Sequence, residues 1–269
     1  MLPHLDDLSA LVKAVAREDL LPRFAGTERQ FKADGSVVTE ADFAVQKRLA
    51  ARLRELYPEF ELLGEEMDAQ RQQDLLAQSN RGLWCLDPLD GTSNFAAGLP
   101  FFGISLALLI ERKPALGVIY DPIRDECFTA QRGRGAWLNG VELRVRPTDL
   151  ALRHSLAVVD FKRLGPLAPK LAARPPYSSQ RNLGSVALEW CWLAAGRFQV
   201  YLHGKQKLWD YAAGALILAE AGGHAETLQG EPIFSPELQP RSVVAAGDAR
   251  LFADWKVWLT EHSSDTNSP

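Results

Sequence analysis

The sequence predicts an α+β fold. Two observations carry that reading. Apolar residues recur with helical periodicity early in the chain, and from Phe102 onward short apolar runs follow one another at strand spacing. The connections between these runs are too short for helical crossovers, which favours antiparallel hairpins over a doubly wound parallel sheet.

The elements follow in order. Leu5, Leu8, Leu11, Val12 and Val15 share one face of an amphipathic first helix. Val45, Leu49, Leu53 and Leu56 do the same for a second, with Thr39 as its N-cap. Ile104 to Ile110, Leu116 to Tyr120 and Cys127 to Ala130 read as strands, parted by Arg112-Lys113-Pro114 and Asp121-Pro122. Leu156 to Val159, Phe198 to Leu202 and Ser242 to Ala245 add further strands. Leu164 to Gln180, with Pro166, Pro175 and Pro176, is the least regular stretch. A helix is expected to start at Asp210 and to stop at the paired Gly222 and Gly223. The tail from His262 to Pro269 reads as disordered. There is no repeat and no clear linker, so residues 1–269 are expected to form one folding unit with a soft boundary near residue 150.

Composition narrows the class. Of 269 residues, 46% are hydrophobic and 24% charged, the balance of an ordinary globular protein with a sizeable core. A net charge of −4 argues against nucleic acid as the main partner. Three cysteines, an odd number partly set in apolar runs, read as free thiols of a reducing compartment. The first residues carry Asp6, Asp7 and Glu18 without a basic stretch and apolar core, and Ile104 to Ile110 is too short to span a bilayer. A cytoplasmic protein with no membrane contact is expected.

The most informative stretch is Trp84-Cys85-Leu86-Asp87-Pro88-Leu89-Asp90-Gly91-Thr92-Ser93-Asn94-Phe95. An apolar run suggests a buried strand that Pro88 stops, so Asp87 and Asp90 sit where the strand opens. Hard divalent cations favour such oxygen-rich corners, and Mg2+ in particular uses one or two carboxylates plus substrate phosphate. The amides after Asp90 open a helix whose N-terminus suits an anion. Read alone, Asp-Pro and Asp-Gly are also ordinary turn dipeptides.

Other segments weigh against a plain turn. Gly64-Glu65-Glu66 closes an apolar stretch upstream, and Trp209-Asp210-Tyr211-Ala212-Ala213-Gly214 opens the late helix. Lys32 to Asp42 ends in Thr39-Glu40-Ala41-Asp42. Together these resemble the inositol monophosphatase family of lithium-sensitive, Mg2+-dependent phosphatases. The family shows an acidic pair after Gly, then Asp-Pro-x-Asp-Gly-Thr-x-Asn-Phe, then Trp-Asp-x-Ala-Ala-Gly, in this order. The resemblance runs from about residue 30 to about residue 225. It implies a layered α-β-α-β-α sandwich, a mobile hairpin around Lys32, a homodimer and a small phosphorylated substrate.

The same resemblance assigns roles. Glu65, Asp87 and the Leu89 carbonyl would hold one Mg2+; Asp87, Asp90 and Asp210 would hold a second. Glu65, Thr92 and Asp42 would serve catalysis, Thr92 bonded to Asp42 and orienting the attacking water. Asp90, the Gly91 and Thr92 amides, Gly184, Ser185 and the residue seven before Asp210 would meet the substrate. Each has a blander reading: Glu65 a solvated acid, Thr92 a cap, Lys32 a solvated lysine.

The leaving group is less defined. The position seven before Asp210, usually Glu in the family, is His203, with Lys205 and Lys207 close behind. An imidazole beside two cations suits a substrate with extra negative charge as well as it suits a neutral polyol, unless the lysines simply face solvent. Inositol 1-phosphate is the expected substrate. The rivals are a 3'(2'),5'-bisphosphate nucleotidase, a sugar bisphosphatase, or a regulatory protein that binds the transcription machinery. Gly133-Arg134-Gly135 lacks dinucleotide-loop spacing, and the five histidines show no metal-ligand spacing with the cysteines.

Overall fold

The computed structural model describes residues 2–26, 28–32, 35–77 and 81–263. In chain order the elements are α1 (Leu5–Val15), β1 (Gln30–Phe31), β2 (Val37–Val38), α2 (Glu40–Leu56), β3 (Glu61–Gly64) and α3 (Ala69–Ala77). Next come β4 (Leu83–Asp90), α4 (Thr92–Ala97), β5 (Gly103–Ile110), β6 (Lys113–Asp121), β7 (Glu126–Gln131), β8 (Gly135–Leu138) and β9 (Val141–Leu143). The second half holds β10 (Leu156–Asp160), α5 (Leu167–Ala173), β11 (Ser179–Arg181), α6 (Val186–Ala194) and β12 (Val200–Gln206). It ends with α7 (Leu208–Glu220), β13 (His224–Glu226), β14 (Arg241–Ala246) and α8 (Ala249–Ser263).

The fold is α+β, and its layers follow from which faces are apolar. Strands β3 to β9 lie side by side in chain order in a seven-stranded sheet, antiparallel throughout except for the parallel pair β3 and β4. Helices α1 and α2 bury Leu8, Val12, Val45 and Leu49 against one face, represented by Trp84, Leu86, Leu106 and Val118. The opposite face, with Leu63, Cys85, Ala107 and Ile119, meets α6 and α7. Those two helices also cover Val158, Tyr201 and Val243 of a second, mixed sheet of order β11-β10-β12-β14-β13. Helices α5 and α8 close its far side through Leu171, Leu251 and Trp255. Helix, sheet, helix, sheet, helix is thus the order of layers. One buried cluster runs through the central helices into both sheets.

Several sequence-level expectations are corrected in detail. Pro88 does not end its strand: β4 runs to Asp90, with a register shift between Asp87↔Ser105 and Asp90↔Gly103. A proline has no N–H for the ladder, so pairing skips it and resumes beyond. Helix α7 begins at Leu208, not at Asp210, which sits in its first turn and accepts the Lys207 N–H at 2.8 Å. Leu56, at the last turn of α2, is exposed. The irregular stretch 164–180 contains α5. Val200 opens the strand expected from Phe198. Ala33 and Asp34 of the early hairpin, and residues 264–269 of the tail, lie outside the described residues.

Candidate active site

Period-two alternation along β4 sends Leu83 and Cys85 into the central layer, and Asp87 continues that face. Asp87 is therefore buried beside the start of α7, where Asp210 sits. The bulge past Pro88 lets Asp90 join them from the same strand. Carboxylate oxygens of Asp87, Asp90 and Asp210 all lie within 4.8 Å of one another. Burial, then repulsion from Glu65 and the neighbouring aspartates, pushes the Asp87 carboxyl well above its ordinary range. Burial likewise raises Asp90 and Asp210, each to about 7. Three acids raised together are a site deficient in positive charge. Their oxygen-only donor set fits a hard divalent cation.

The backbone around them is shaped for the same corner. The Leu89 amide donates to Asp87 Oδ1 at 3.0 Å. Gly91 takes φ 90° as it caps the six-residue helix α4. A Cβ there would lie 3.0 Å from the Phe101 carbonyl oxygen and 3.1 Å from Ser185 Cβ, so glycine is required on both counts. The Thr92 hydroxyl lies 2.9 Å from the Leu89 carbonyl and 3.2 Å from Asp42 Oδ1. With one proton it can donate to only one of them at a time.

Asp42 arrives from the first turn of α2. It closes a capping box, accepting the Thr39 N–H at 2.7 Å while Thr39 Oγ1 takes the Ala41 N–H. Burial raises its carboxyl to about 6, against the opposing Thr39 bonds.

Glu65 follows β3 and is half-buried, but it is not among the three clustered carboxylates. Its Oε1 is 3.0 Å from Lys32 Nζ and 3.8 Å from Lys207 Nζ. Lys32 also binds Glu66 Oε1 at 2.6 Å. Burial would lower the Lys32 pKa, yet the two glutamates outweigh it and raise it. Gln72 of α3 fixes the turn that carries Glu65 by donating to the Gly64 and Glu65 carbonyls at 2.9 and 3.1 Å. Gln72 carried no signal in the sequence.

Ser185 is fully buried, and its hydroxyl donates to Asp90 Oδ2 while the Ala187 amide reaches the same oxygen at 2.8 Å. Gly184 precedes it at φ 81°. Ser185 thus orients a prospective metal ligand with its hydroxyl proton. His203 departs from expectation. It is buried, with Nε2 3.1 Å from Asp160 Oδ2 and Nδ1 accepting the Lys205 amide at 3.2 Å. Both ring nitrogens are engaged, so His203 offers nothing to a leaving group in this arrangement. Strand register is the reason, since Asp160 of β10 stands directly opposite His203 of β12.

Residues 5–263 match the profile of the inositol monophosphatase family. The chain belongs to that family. Among its relatives, the Nus factor SuhB of Pasteurella multocida is 40% identical over 197 residues, spanning 71% of this chain and 72% of that protein. Inositol monophosphatase 2 of Solanum lycopersicum is 38% identical over 200 residues, 70% of this chain and 73% of the other. The IMPase of Thermotoga maritima superposes with a TM-score of 0.81 at 28% identity, each chain 96% covered. SaIMPase-II, solved with inositol monophosphate bound, gives a TM-score of 0.78 at 27% identity, covering 96% of this chain and 94% of that one. As a family member with its acidic corner intact, the chain is a phosphomonoesterase.

Proposed function

We propose that the chain is a Mg2+-dependent enzyme that hydrolyses a small phosphorylated polyol, with inositol 1-phosphate as its substrate. The observation that carries this reading is the convergence of Asp87, Asp90 and Asp210 within 4.8 Å. Glu65, Asp87 and the Leu89 carbonyl would hold one ion, and Asp87, Asp90 and Asp210 a second. Such ions, when bound, neutralise phosphoryl oxygens and make water a better nucleophile near neutral pH.

The chain's own groups supply the rest. Thr92 and Asp42, joined at 3.2 Å, are set to orient the attacking water and to hold its proton. The Gly91 and Thr92 amides, heading α4, are the donors assigned to phosphate. The Gly184 and Ser185 backbone borders the leaving group. Water adds to phosphorus, the ester oxygen leaves, and a proton must reach it as the alcohol departs. Lys32 and Lys207 hold Glu65, an acid that the metal reading needs.

Burial of all three cysteines supports a cytoplasmic location. Among the described residues no helix is long and apolar enough to cross a membrane. A homodimer rests on the family resemblance, and sedimentation tests it. One folding unit is supported by the core cluster shared between both sheets.

A second reading, regulation through the transcription machinery, is favoured only by the name Nus factor SuhB that the Pasteurella and other bacterial relatives carry. Phosphate release should be compared over inositol 1-phosphate, 2'-AMP, a 3',5'-bisphosphonucleotide and fructose 1,6-bisphosphate, with and without Mg2+. Fastest Mg2+-dependent turnover of inositol 1-phosphate supports the main reading. Preference for a bisphosphate replaces the substrate, and no turnover anywhere favours regulation.

A further inference from the structure

The peptide that joins Leu183 to Gly184 is gripped from both sides by buried or half-buried side chains. From α4, Asn94 Nδ2 donates to the Leu183 carbonyl at 2.7 Å and to the Phe101 carbonyl at 2.8 Å. From α6, Glu189 Oε1 accepts the Leu183 and Gly184 amides at 3.1 and 3.0 Å. Its other oxygen, Oε2, accepts the Tyr201 hydroxyl at 2.8 Å. Tyr201 in turn accepts from Gln206 Nε2 at 2.7 Å, and Gln206 Oε1 accepts the Trp190 indole N–H at 3.0 Å. Glu189 is 2% exposed, and Tyr201, Gln206 and Trp190 are 0% exposed.

This network joins two segments, one that binds a prospective metal ligand and one that carries another. At one end the gripped peptide leads straight into Ser185 and Ala187, both of which bind Asp90 Oδ2. At the other, Gln206 immediately precedes Lys207, whose amide is held by Asp210. We propose that Glu189, working with Asn94, is a positioning residue of the active site. It sets the Leu183–Ser185 loop and so fixes Asp90 relative to Asp210. A buried carboxylate with three donors is a costly way to fill a core, since an apolar side chain would avoid its desolvation. Burial indeed raises the Glu189 carboxyl to about 7 in spite of its three hydrogen bonds. What the carboxylate adds is geometry, because one oxygen can take two adjacent amides while the other reaches the second sheet.

The inference rests on the phosphatase reading for its kinetic arm and is independent of it for its binding arm. Glu189→Leu, Glu189→Gln, Asn94→Asp and a control, Leu251→Ala, are compared for thermal stability, KM and calorimetric Mg2+ affinity. Leu251 belongs to α8 and packs in the outer core cluster, which holds none of the network's side chains. Loss of the shared acceptor in Glu189→Leu should weaken Mg2+ binding and raise KM by about tenfold each, the scale of a lost charged hydrogen bond. Glu189→Gln keeps a carbonyl oxygen for the two amides but turns an NH2 toward the Tyr201 hydroxyl, so it should show a smaller defect than Glu189→Leu in both constants. Asn94→Asp is isosteric but turns an acceptor toward two carbonyls, so it should reproduce the defect even if Glu189→Leu does not fold. Leu251→Ala should lose stability without changing either constant. Parental Mg2+ affinity and KM in the folded Glu189→Leu and Asn94→Asp proteins would overturn the proposal. If the parent releases no phosphate from any monoester, the phosphatase reading fails, while the Mg2+ titrations still decide the positioning role.

Discussion

His203 Nε2 lies 3.1 Å from Asp160 Oδ2, between two strands paired in register, and both groups are buried. Arg163 Nη1 also pairs with that carboxylate oxygen. Burial would raise the Asp160 pKa, yet the His203 and Arg163 bonds outweigh it and hold the carboxyl well below its usual range. His203 is therefore part of a buried pair and not a reader of the leaving group.

The first prediction follows from that pair. His203→Glu would set one carboxylate against another inside the sheet. We expect a stability loss of about 3–5 kcal/mol in denaturant unfolding, the cost of breaking a buried pair, without a shift in substrate preference. A changed preference at unchanged stability would return His203 to the substrate site.

Asp87→Asn tests the acidic corner. Removing its charge while keeping its shape should lower Mg2+-dependent hydrolysis by orders of magnitude. Without Mg2+, the variant should melt at or above the temperature of the parent, because a buried, mutually repelled acid has gone. Parental turnover in the folded variant would remove Asp87 from the chemistry.

The pH dependence of the Mg2+-free protein has a definite sign. Asp90, Asp210 and Glu189 are raised to about 7 and Asp42 to about 6, each chiefly by burial. Between the ordinary carboxylate range and these values the folded chain holds more protons than the unfolded one. Stability must then fall as pH rises, from about pH 4 to about pH 7. The lowered Asp160 acts in the opposite sense, but only at acid pH below that window. Melting in chelator should occur at a lower temperature at neutral pH than at mildly acid pH. Added Mg2+ should reverse that loss, and a melting temperature that rises toward neutrality would contradict the assignment.

Lithium probes the second metal position. By the family resemblance, Li+ would take the place held by Asp90 and Asp210 after catalysis and would retain phosphate. Millimolar Li+ should inhibit more strongly at saturating than at limiting substrate. Equal inhibition at all substrate concentrations would argue for an altered second position.

Gly91→Ala should cost about 1–3 kcal/mol and depress activity, through a φ of 90° and a Cβ pressed on the Phe101 carbonyl. Unchanged unfolding midpoints would show that the turn relaxes freely.

Much of the site was legible along the chain because it is local. Asp87, Asp90, Gly91 and Thr92 are neighbours on one strand, one turn and one helix start, so their spacing specifies their geometry. Thr39 and Asp42 form a capping box that three residues suffice to encode. The hairpins β5 to β7 were legible for the same reason, through short turns and alternating burial.

What stayed hidden depends on register and packing between distant segments. Nothing near His203 announces Asp160, and nothing near Glu189 announces the amides it holds or Tyr201 on the next strand. Lys32 meets Glu65 only when a hairpin folds over the end of β3. The sequence by itself determined which residues form the acidic corner and the local turns that present them. Only the tertiary structure decided which charged and polar groups face one another. Side-chain pairing across sheets follows from strand register and the burial of whole faces, and no short stretch of chain contains that information.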